Sequence, residues 1–183
     1  MKTIIVLFSG SGTNLQNIIN TYQNKYHIQT ITNNKNANGI KICEEHNIKC
    51  AVIDEKSFEN RLSYNKKLVE YLKPLEKNLI VLAGYMRIIP KFLLDEISTP
   101  IINLHPSLLP RHKGLQAIEK SFEDEYEDAG VTVHYVNSEL DAGEIIVQLS
   151  FNKKDYTDFS NFKNKVKSLD YNIMPMAINK VLL

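Results

Sequence analysis

The stretch Thr3-Ile-Ile-Val-Leu-Phe8, followed directly by Ser9-Gly-Ser-Gly12, decides the fold of this chain. An unbroken run of β-branched and apolar residues is typical of a strand that is buried on both faces of a sheet. The run ends at the glycines, and helical spacing of apolar residues begins at Leu15 and continues to Tyr22. A buried strand, a glycine turn and a helix in this order predict the first unit of a parallel α/β sheet.

The alternation of strands and helices continues along the chain. Apolar runs predict strands at residues 28–32, 50–53, 79–82 and 100–104, and periodic segments predict helices at 39–46, 62–72, 90–97 and 117–125. Residues 131–136 and 144–150 predict two strands joined by a loop of about seven residues, which suits an antiparallel pair. The last helix, 159–182, is expected to kink or break at Pro175. We therefore predict an α/β fold: an open, mostly parallel Rossmann-like sheet with helices on both faces and an antiparallel C-terminal strand pair.

The composition narrows the class of protein. A length of 183 residues suits one domain, so we predict a single domain over residues 1–183. Lysine plus arginine number 22 and aspartate plus glutamate 21, so the formal net charge is +1, which argues against a nucleic-acid or membrane-surface binder. Cys43 and Cys50 are expected to be free thiols, and no run reaches the roughly 18 apolar residues of a membrane span. We expect a cytoplasmic protein.

The loop after the first predicted strand has the character of an anion site. Gly10 and Gly12 let the backbone approach a ligand, and Ser11, Thr13 and Asn14 place hydroxyl, amide and backbone donors at a helix start. The loop lacks the GxxxxGK[ST] pattern, and a leucine stands where GxGxxG needs its third glycine. A phosphate monoester is therefore favoured over a nucleotide di- or triphosphate. The alternative is a tight turn with a polar N-cap.

Asn103 and His105 alternate at the end of a predicted strand, so their side chains share one face of the sheet. In open α/β sheets, ligands bind beyond the carboxyl ends of the strands. An amide and an imidazole on one face are able to stabilise an oxyanion and transfer a proton. Asp141 stands two residues before Gly143, and across a cleft from His105 it would raise the imidazole pKa. The alternatives are a structural histidine and an ordinary turn.

Five segments in one order are similar to those of a known family. They are S-G-x-G-T-N-L (9–15), L-A-G-Y-M-R-I-I (82–89), I-N-L-H-P-S-L-L-P (102–110), K-G (113–114) and V-H-Y-V-N-S-E-L-D-A-G (133–143). Together they resemble the glycinamide ribonucleotide formyltransferases, the folate-dependent enzymes of purine biosynthesis. The resemblance runs through essentially the whole chain and implies the formyltransferase fold. Five of the seven glycines fall inside these segments, whereas Gly39 and Gly130 look like ordinary turn residues.

The resemblance implies a site for two small molecules, with 10-formyltetrahydrofolate as co-substrate and no metal. Asn103, His105 and Asp141 match the catalytic residues. The positions matching the phosphoribosylglycinamide site are Gly12, Thr13, Asn14, Lys167, Ser168, Leu169 and Asp170. The positions matching the formylfolate site are Arg61, Met86, Arg87, Ile88, Ile89, Asn103, Asn137, Ser138, Glu139, Leu140 and Asp141. The family usually has Gln and Glu where Lys167 and Asp170 stand, so this part of the glycinamide site departs from the pattern.

The implied reaction transfers the formyl group of 10-formyltetrahydrofolate to the amine of 5-phosphoribosylglycinamide. Asn103 and protonated His105 would stabilise the oxyanion, His105 would act as general acid, and Asp141 would keep the imidazolium charged. Three related classes of enzyme share part of this pattern: sugar N-formyltransferases, methionyl-tRNA formyltransferases and formyltetrahydrofolate hydrolases. A non-enzymatic alternative is a ligand-binding sensor without turnover. The near-zero charge argues against the tRNA-directed enzyme, and all three catalytic residues argue against the sensor. The oligomeric state is left open between monomer and homodimer, and residues 111–116 are a candidate lid.

Overall fold

The computed structural model describes all 183 residues, which form seven strands and six α-helices. The strands are β1 (Thr3–Phe8), β2 (His27–Thr32), β3 (Cys50–Val52), β4 (Leu79–Leu82), β5 (Ile101–His105), β6 (Asp128–Tyr135) and β7 (Ile145–Asn152). The helices are α1 (Thr13–Tyr22), α2 (Gly39–Glu45), α3 (Arg61–Leu72), α4 (Lys91–Glu96), α5 (Ala117–Glu123) and α6 (Phe159–Leu182). The chain forms two compact units, Met1–Ile101 and Ile102–Leu183.

The first unit is a parallel α/β structure. Its strands are hydrogen-bonded in the order β3-β2-β1-β4, and all three pairings are parallel. Every residue of β1 and β4 is buried, as the unbroken apolar runs predict. The chain moves from β1 outward through β2 and β3 and then returns to the other side of β1, so the direction of winding reverses between β1 and β4. Right-handed crossovers then place α1 and α2 on one face and α3 on the other.

The second unit is antiparallel. β5 pairs with β6, and β6 pairs with β7 with a bulge between Val133 and His134. The helix α6 packs on β6 and β7. It continues through Pro175 as one helix, so the predicted break is wrong. Buried apolar residues stand on both sides of the proline, among them Met174 and Ala177, and their packing holds both halves in one helix against the lost backbone hydrogen bond.

Two glycines interpreted as turn residues are instead positions of close packing. Gly39 opens α2, and a Cβ there would lie 2.4 Å from Cε2 of Phe8. Gly130 lies inside β6, where a Cβ would lie 2.0 Å from the carbonyl oxygen of Leu149. The approach of a neighbouring ring or strand, and not a turn, requires glycine at both positions.

The predicted fold class is confirmed: helix-linked parallel strands come first and antiparallel strands follow. The largest boundary errors are in the second unit, where β6 begins at Asp128 and α5 ends at Glu123. The residues at these ends are polar and exposed, so they show no periodic apolar pattern. The start of β6 is instead set by its pairing with β7, in which Asp128 lies opposite Asn152. None of the helices is both long enough and apolar enough to cross a membrane.

Candidate active site

Two side chains of β5 build the centre of the candidate site in the second unit. Asn103 lies opposite His134 of β6, and His105 lies opposite Thr132. Because side chains alternate along a strand, Asn103 and His105 emerge on the same face. The two side chains therefore share one face of β5, as the sequence predicts.

His105 is 5% exposed, and both of its ring nitrogens face acceptors. Nδ1 lies 3.2 Å from Oδ2 of Asp141, and Nε2 donates to the backbone carbonyl of His112 at 2.8 Å. A carbonyl oxygen accepts only, so it selects the ring form with the proton on Nε2. The proton that comes and goes is then the one on Nδ1, on the side of Asp141.

The Asp141 carboxylate contacts the backbone N–H of Gly114 and two imidazoles. Its own backbone has φ +47°, and the Gly114 backbone N–H donates to Oδ2 at 2.9 Å. Nε2 of His134 lies 3.5 Å from Oδ1. Burial of the carboxyl raises its pKa, but the hydrogen bonds from His134 and Gly114 and the charge of His105 outweigh burial, so the pKa of Asp141 lies below its ordinary value. The carboxylate is therefore ionised at neutral pH.

The electrostatics of His105 differ from the sequence-based expectation. Asp141 and the His112 carbonyl both raise the pKa of His105, as opposite charge and an acceptor must. Burial is the larger effect, and it holds the pKa of His105 below its ordinary value of 6.5. The imidazole is thus predominantly neutral in the free protein at pH 7, with acceptors already placed for a second proton.

His134 is a site residue that the sequence reasoning missed. Its Nδ1 donates to the carbonyl of Tyr135 at 2.8 Å, and its Nε2 lies 3.4 Å from Nδ2 of Asn103. His134 is 2% exposed and lies in the V-H-Y-V segment that carries part of the resemblance. Only the pairing of β5 with β6 reveals that it lies opposite Asn103.

The remaining predicted positions of the second unit lie in two places. Asn137, Ser138, Glu139 and Leu140 form an exposed loop after β6, in which the backbone N–H of Glu139 donates to Oδ1 of Asn137 at 3.0 Å. Lys167, Ser168, Leu169 and Asp170 form one turn of α6. Lys167 and Ser168 are exposed, and Leu169 and Asp170 are half-buried.

In the first unit, the loops after β1 and β4 lie side by side. The backbone N–H of Met86 donates to the Ser9 hydroxyl at 2.9 Å, and the N–H of Ser9 donates to the carbonyl of Gly84 at 3.3 Å. These loops follow the two strands between which the winding reverses, which is the place where open α/β sheets bind ligands. The structure therefore brings the predicted phosphate loop close to the predicted folate segment.

The loop predicted to bind phosphate leaves the start of α1 without a side-chain cap. Gly12 has φ +81°, and no side chain caps the helix. The first backbone N–H groups of α1 thus lack side-chain partners, and no acidic residue lies in the first turn. Thr13 is exposed, and Asn14 is half-buried. A helix start with free donors and no negative charge is suited to an anion.

The predicted folate residues of this unit divide into two groups. Arg61, Arg87 and Ile88 line one cavity of about 300 Å³, together with Lys56. Met86 is exposed, and Ile89 is buried beneath the segment. Arg87 is paired with Glu55, so Lys56 and Arg61 are the cations of this cavity that have no carboxylate partner. No group of three or more His, Cys, Asp or Glu side chains in the chain has an arrangement that could hold a metal ion.

The formyl transferase family model matches residues 2–178, and the chain belongs to this family. It is 37% identical to a phosphoribosylglycinamide formyltransferase of Haemophilus influenzae, over 97% of this chain and 86% of that protein. It is 31% identical to the enzyme of the same name from Bacillus subtilis, over 100% of this chain and 95% of that protein.

Among solved structures, the phosphoribosylglycinamide formyltransferase of Campylobacter jejuni superposes with a TM-score of 0.93 at 38% identity, over 100% of this chain and 98% of that chain. These similarities confirm the resemblance and the fold class that the sequence predicts.

Proposed function

We propose that this chain transfers the formyl group of 10-formyltetrahydrofolate to the amine of 5-phosphoribosylglycinamide, giving formylglycinamide ribonucleotide and tetrahydrofolate. The relatives that carry this activity in their names match over nearly the whole chain. The observation that carries the proposal is the buried His105, with an acceptor at each ring nitrogen and a carboxylate at Nδ1. Acyl transfer to an amine needs a group that holds and releases a proton beside a donor to the oxyanion.

Asn103 and His105 divide the work on the reacting carbonyl. The Nδ2 donor of Asn103 is oriented by His134, and it stabilises the oxygen of the tetrahedral centre. His105 takes a proton at Nδ1 from the attacking amine and releases it to the leaving amine of the folate, while Nε2 stays bonded to the His112 carbonyl. Asp141, ionised and in contact with both histidines, stabilises the imidazolium as it forms.

Each unit carries residues proposed to bind phosphoribosylglycinamide. Gly12, Thr13 and Asn14 bind the phosphate at the uncapped start of α1, where backbone donors and the helix dipole favour an anion. The turn of α6 from Lys167 to Asp170 contributes to the glycinamide site. Lys167 brings a cation to this site in place of the amide that the family usually has.

The formylfolate site fits the residues present. Arg61 and Lys56 supply unpaired cations for the carboxylates of the folate tail, in the cavity that Arg87 and Ile88 also line. Met86 and Ile89 in the first unit, and the loop from Asn137 to Leu140 in the second, are each assigned to pterin binding by their match to the family pattern. When bound, 10-formyltetrahydrofolate supplies the activated formyl carbon.

The decisive experiment follows the pterin absorbance change with 10-formyltetrahydrofolate, with and without phosphoribosylglycinamide. Turnover only when phosphoribosylglycinamide is present supports the proposal. Turnover with a nucleotide-linked amino sugar instead would move the assignment to a sugar N-formyltransferase. Formate release without any amine would identify a formyltetrahydrofolate hydrolase.

The partners of the protein are small molecules. We further propose that it binds no nucleic acid and no membrane, that residues 1–183 act as a single domain, and that it works in the cytoplasm as a monomer or a homodimer. The net charge of +1 supports the absence of a polyanionic partner. Gel filtration and a filter-binding assay with tRNA test these points separately.

A further inference from the structure

The carbonyl that receives Nε2 of His105 belongs to a residue in an unfavourable backbone conformation. His112 has φ +53°, in the left-handed region. This conformation is disfavoured for an L-residue with a side chain, because its Cβ comes close to the following carbonyl oxygen. It therefore persists only where the surroundings hold the residue. The position of the His112 carbonyl, and with it the orientation of the His105 ring, depends on what holds His112.

The side chain of His112 is held by Asp124. Nε2 of His112 donates to Oδ2 of Asp124 at 2.5 Å, and the two side chains are 20% and 13% exposed. Asp124 is the residue that directly follows α5, and the backbone N–H of Tyr126 donates to its Oδ1 at 3.0 Å. The loop that carries His112 is thus attached to the end of a helix by a charge-assisted hydrogen bond.

Lys153 completes the attachment from the opposite side of Asp124. Its Nζ donates to Oδ1 of Asp124 at 2.5 Å and to the carbonyls of Ser121 at 2.9 Å and Asp124 at 2.5 Å. Lys153 lies in the turn that follows β7, and its side chain is only 13% exposed. The carboxylate is therefore fixed between β7, α5 and the His112 loop. Burial raises the pKa of Asp124, but the hydrogen bonds from Lys153 and His112 hold it below its ordinary value.

We infer that His112, Asp124 and Lys153 are positioning residues: they hold the His112 carbonyl at Nε2 of His105 and so direct Nδ1, with its exchangeable proton, toward Asp141. The catalytic consequence rests on the proposed formyl transfer, whereas the positioning itself does not. The arrangement has the logic of a carboxylate that orients a catalytic histidine, with a backbone carbonyl inserted between the two.

The first test compares Asp124→Asn with Asp128→Asn. Both replace one carboxylate in the same stretch of chain, but Asp128 pairs with Arg111 and is 54% exposed. We expect Asp124→Asn to lower kcat about tenfold with KM for both substrates within about twofold, since the ring is misdirected while the binding residues are untouched. Asp128→Asn should keep the wild-type kcat. Unchanged kcat in Asp124→Asn, or an equal loss in both variants, would overturn the inference.

The second test reads the His105 ring directly by NMR titration of the five histidines. The charged and titratable groups around His105 are Asp141, His134 and His112. The contact with the His112 carbonyl raises the pKa of His105. Its loss in Asp124→Asn should therefore move the titration midpoint of His105 to lower pH. The acidic limb of the pH–kcat profile, which reports the neutral His105 that accepts the proton, should move in the same direction. A role in stability alone would leave both unchanged, and that result would contradict the inference.

Two further variants keep the test decisive if Asp124→Asn does not fold. Lys153→Met removes the other partner of Asp124, and Lys154→Met is its matched control, because Lys154 pairs only with the exposed Glu127. His112→Gly keeps the carbonyl and adopts positive φ without strain, but it loses the attachment to Asp124. We expect Lys153→Met and His112→Gly to shift the His105 midpoint. A wild-type midpoint in His112→Gly would show that backbone conformation alone positions the carbonyl.

Failure of the proposed function would be distinguishable from failure of this inference. If the wild-type chain forms no product with phosphoribosylglycinamide, the proposed function is wrong. The titration of His105 still tests the positioning, because it needs no substrate.

Discussion

Each unit of the protein contains a series of hydrogen-bonded polar side chains, and the two series differ in their ability to exchange protons. In the first unit, Ser9 donates to Asn33 at 2.6 Å, Asn33 donates to Glu55 at 3.0 Å, and Glu55 pairs with Arg87. Each of these contacts joins a donor to an acceptor, and Glu55 accepts from both Asn33 and Arg87. In the second unit, Asp141 is shared between two imidazoles, and the side chains of His105 and Asp141 are only 6% and 9% exposed.

The difference lies in what a proton can change. Glu55 and Arg87 are both charged across the whole neutral range, because the hydrogen bonds from Arg87 lower the pKa of Glu55 and those to Glu55 raise the pKa of Arg87. In the second unit, burial lowers the pKa of His105 and the acceptors raise it, so its charge depends on the balance between opposing effects. The first arrangement fixes a loop, and the second is able to exchange protons.

Removal of the proton-exchanging groups should have the largest effect. We expect His105→Ala and Asp141→Asn to lower kcat by a factor on the order of 10³, since each removes proton transfer or the charge that supports it. The measurement is steady-state turnover, with folate binding followed by calorimetry because the chain has no tryptophan. His27→Ala, at an exposed position in β2, is the control. Wild-type turnover in either site variant would disprove the proposed roles.

Gly143→Ala should disrupt the backbone next to Asp141, which contacts both His105 and His134. A Cβ there would lie 1.7 Å from the carbonyl oxygen of Tyr135, so the backbone near Asp141 has to move. We expect the free energy of unfolding to fall by about 3 kcal/mol. Gly10→Ala is the matched control in the first unit, where the added Cβ meets nothing within 4 Å. Urea unfolding of both variants is the measurement, and equal stability would refute the close approach.

Thr13→Ala tests whether the first unit only binds. Loss of the hydroxyl at the start of α1 should raise KM for phosphoribosylglycinamide about tenfold while kcat stays within about twofold, because phosphate binding is equal in the ground and transition states. Thr21→Ala near the other end of α1 should leave both constants unchanged; its hydroxyl donates to the carbonyl of Asn17. A fall in kcat alone would place the phosphate loop in the chemistry.

Glu55→Gln should have the smallest effect. Arg87 is 37% exposed, so solvent screens the pair, and we expect a loss of about 1 kcal/mol in unfolding free energy at pH 7. The folded pKa of Glu55 lies below its ordinary value of 4.5, so the stabilisation is full above that value and is lost as pH falls through the folded pKa. The difference from wild type should therefore shrink below pH 4.5. A difference that grows on acidification would contradict this assignment.

The order of the elements and the pairing of Asn103 with His105 on one face of β5 are predictable from local sequence patterns. Unbroken apolar runs predict buried parallel strands such as β1 and β4, and a period of two predicts that Asn103 and His105 share a face, because both patterns are local. The sequence did not reveal His134 as a neighbour of Asn103, or the close packing at Gly39 and Gly130. Those properties depend on which strand or ring lies opposite, and residues far apart in the chain decide that.

The charge of His105 and the orientation of its ring depend on contacts that exist only in the folded chain. From the sequence, Asp141 was expected to keep the imidazole protonated, because the attraction between opposite charges is evident from residue types alone. Burial is a property of the folded chain, and it outweighs that attraction. The attachment of His112 to Asp124 and Lys153 arises in the same way, since α5, β7 and a loop have to fold together before one carboxylate meets both partners.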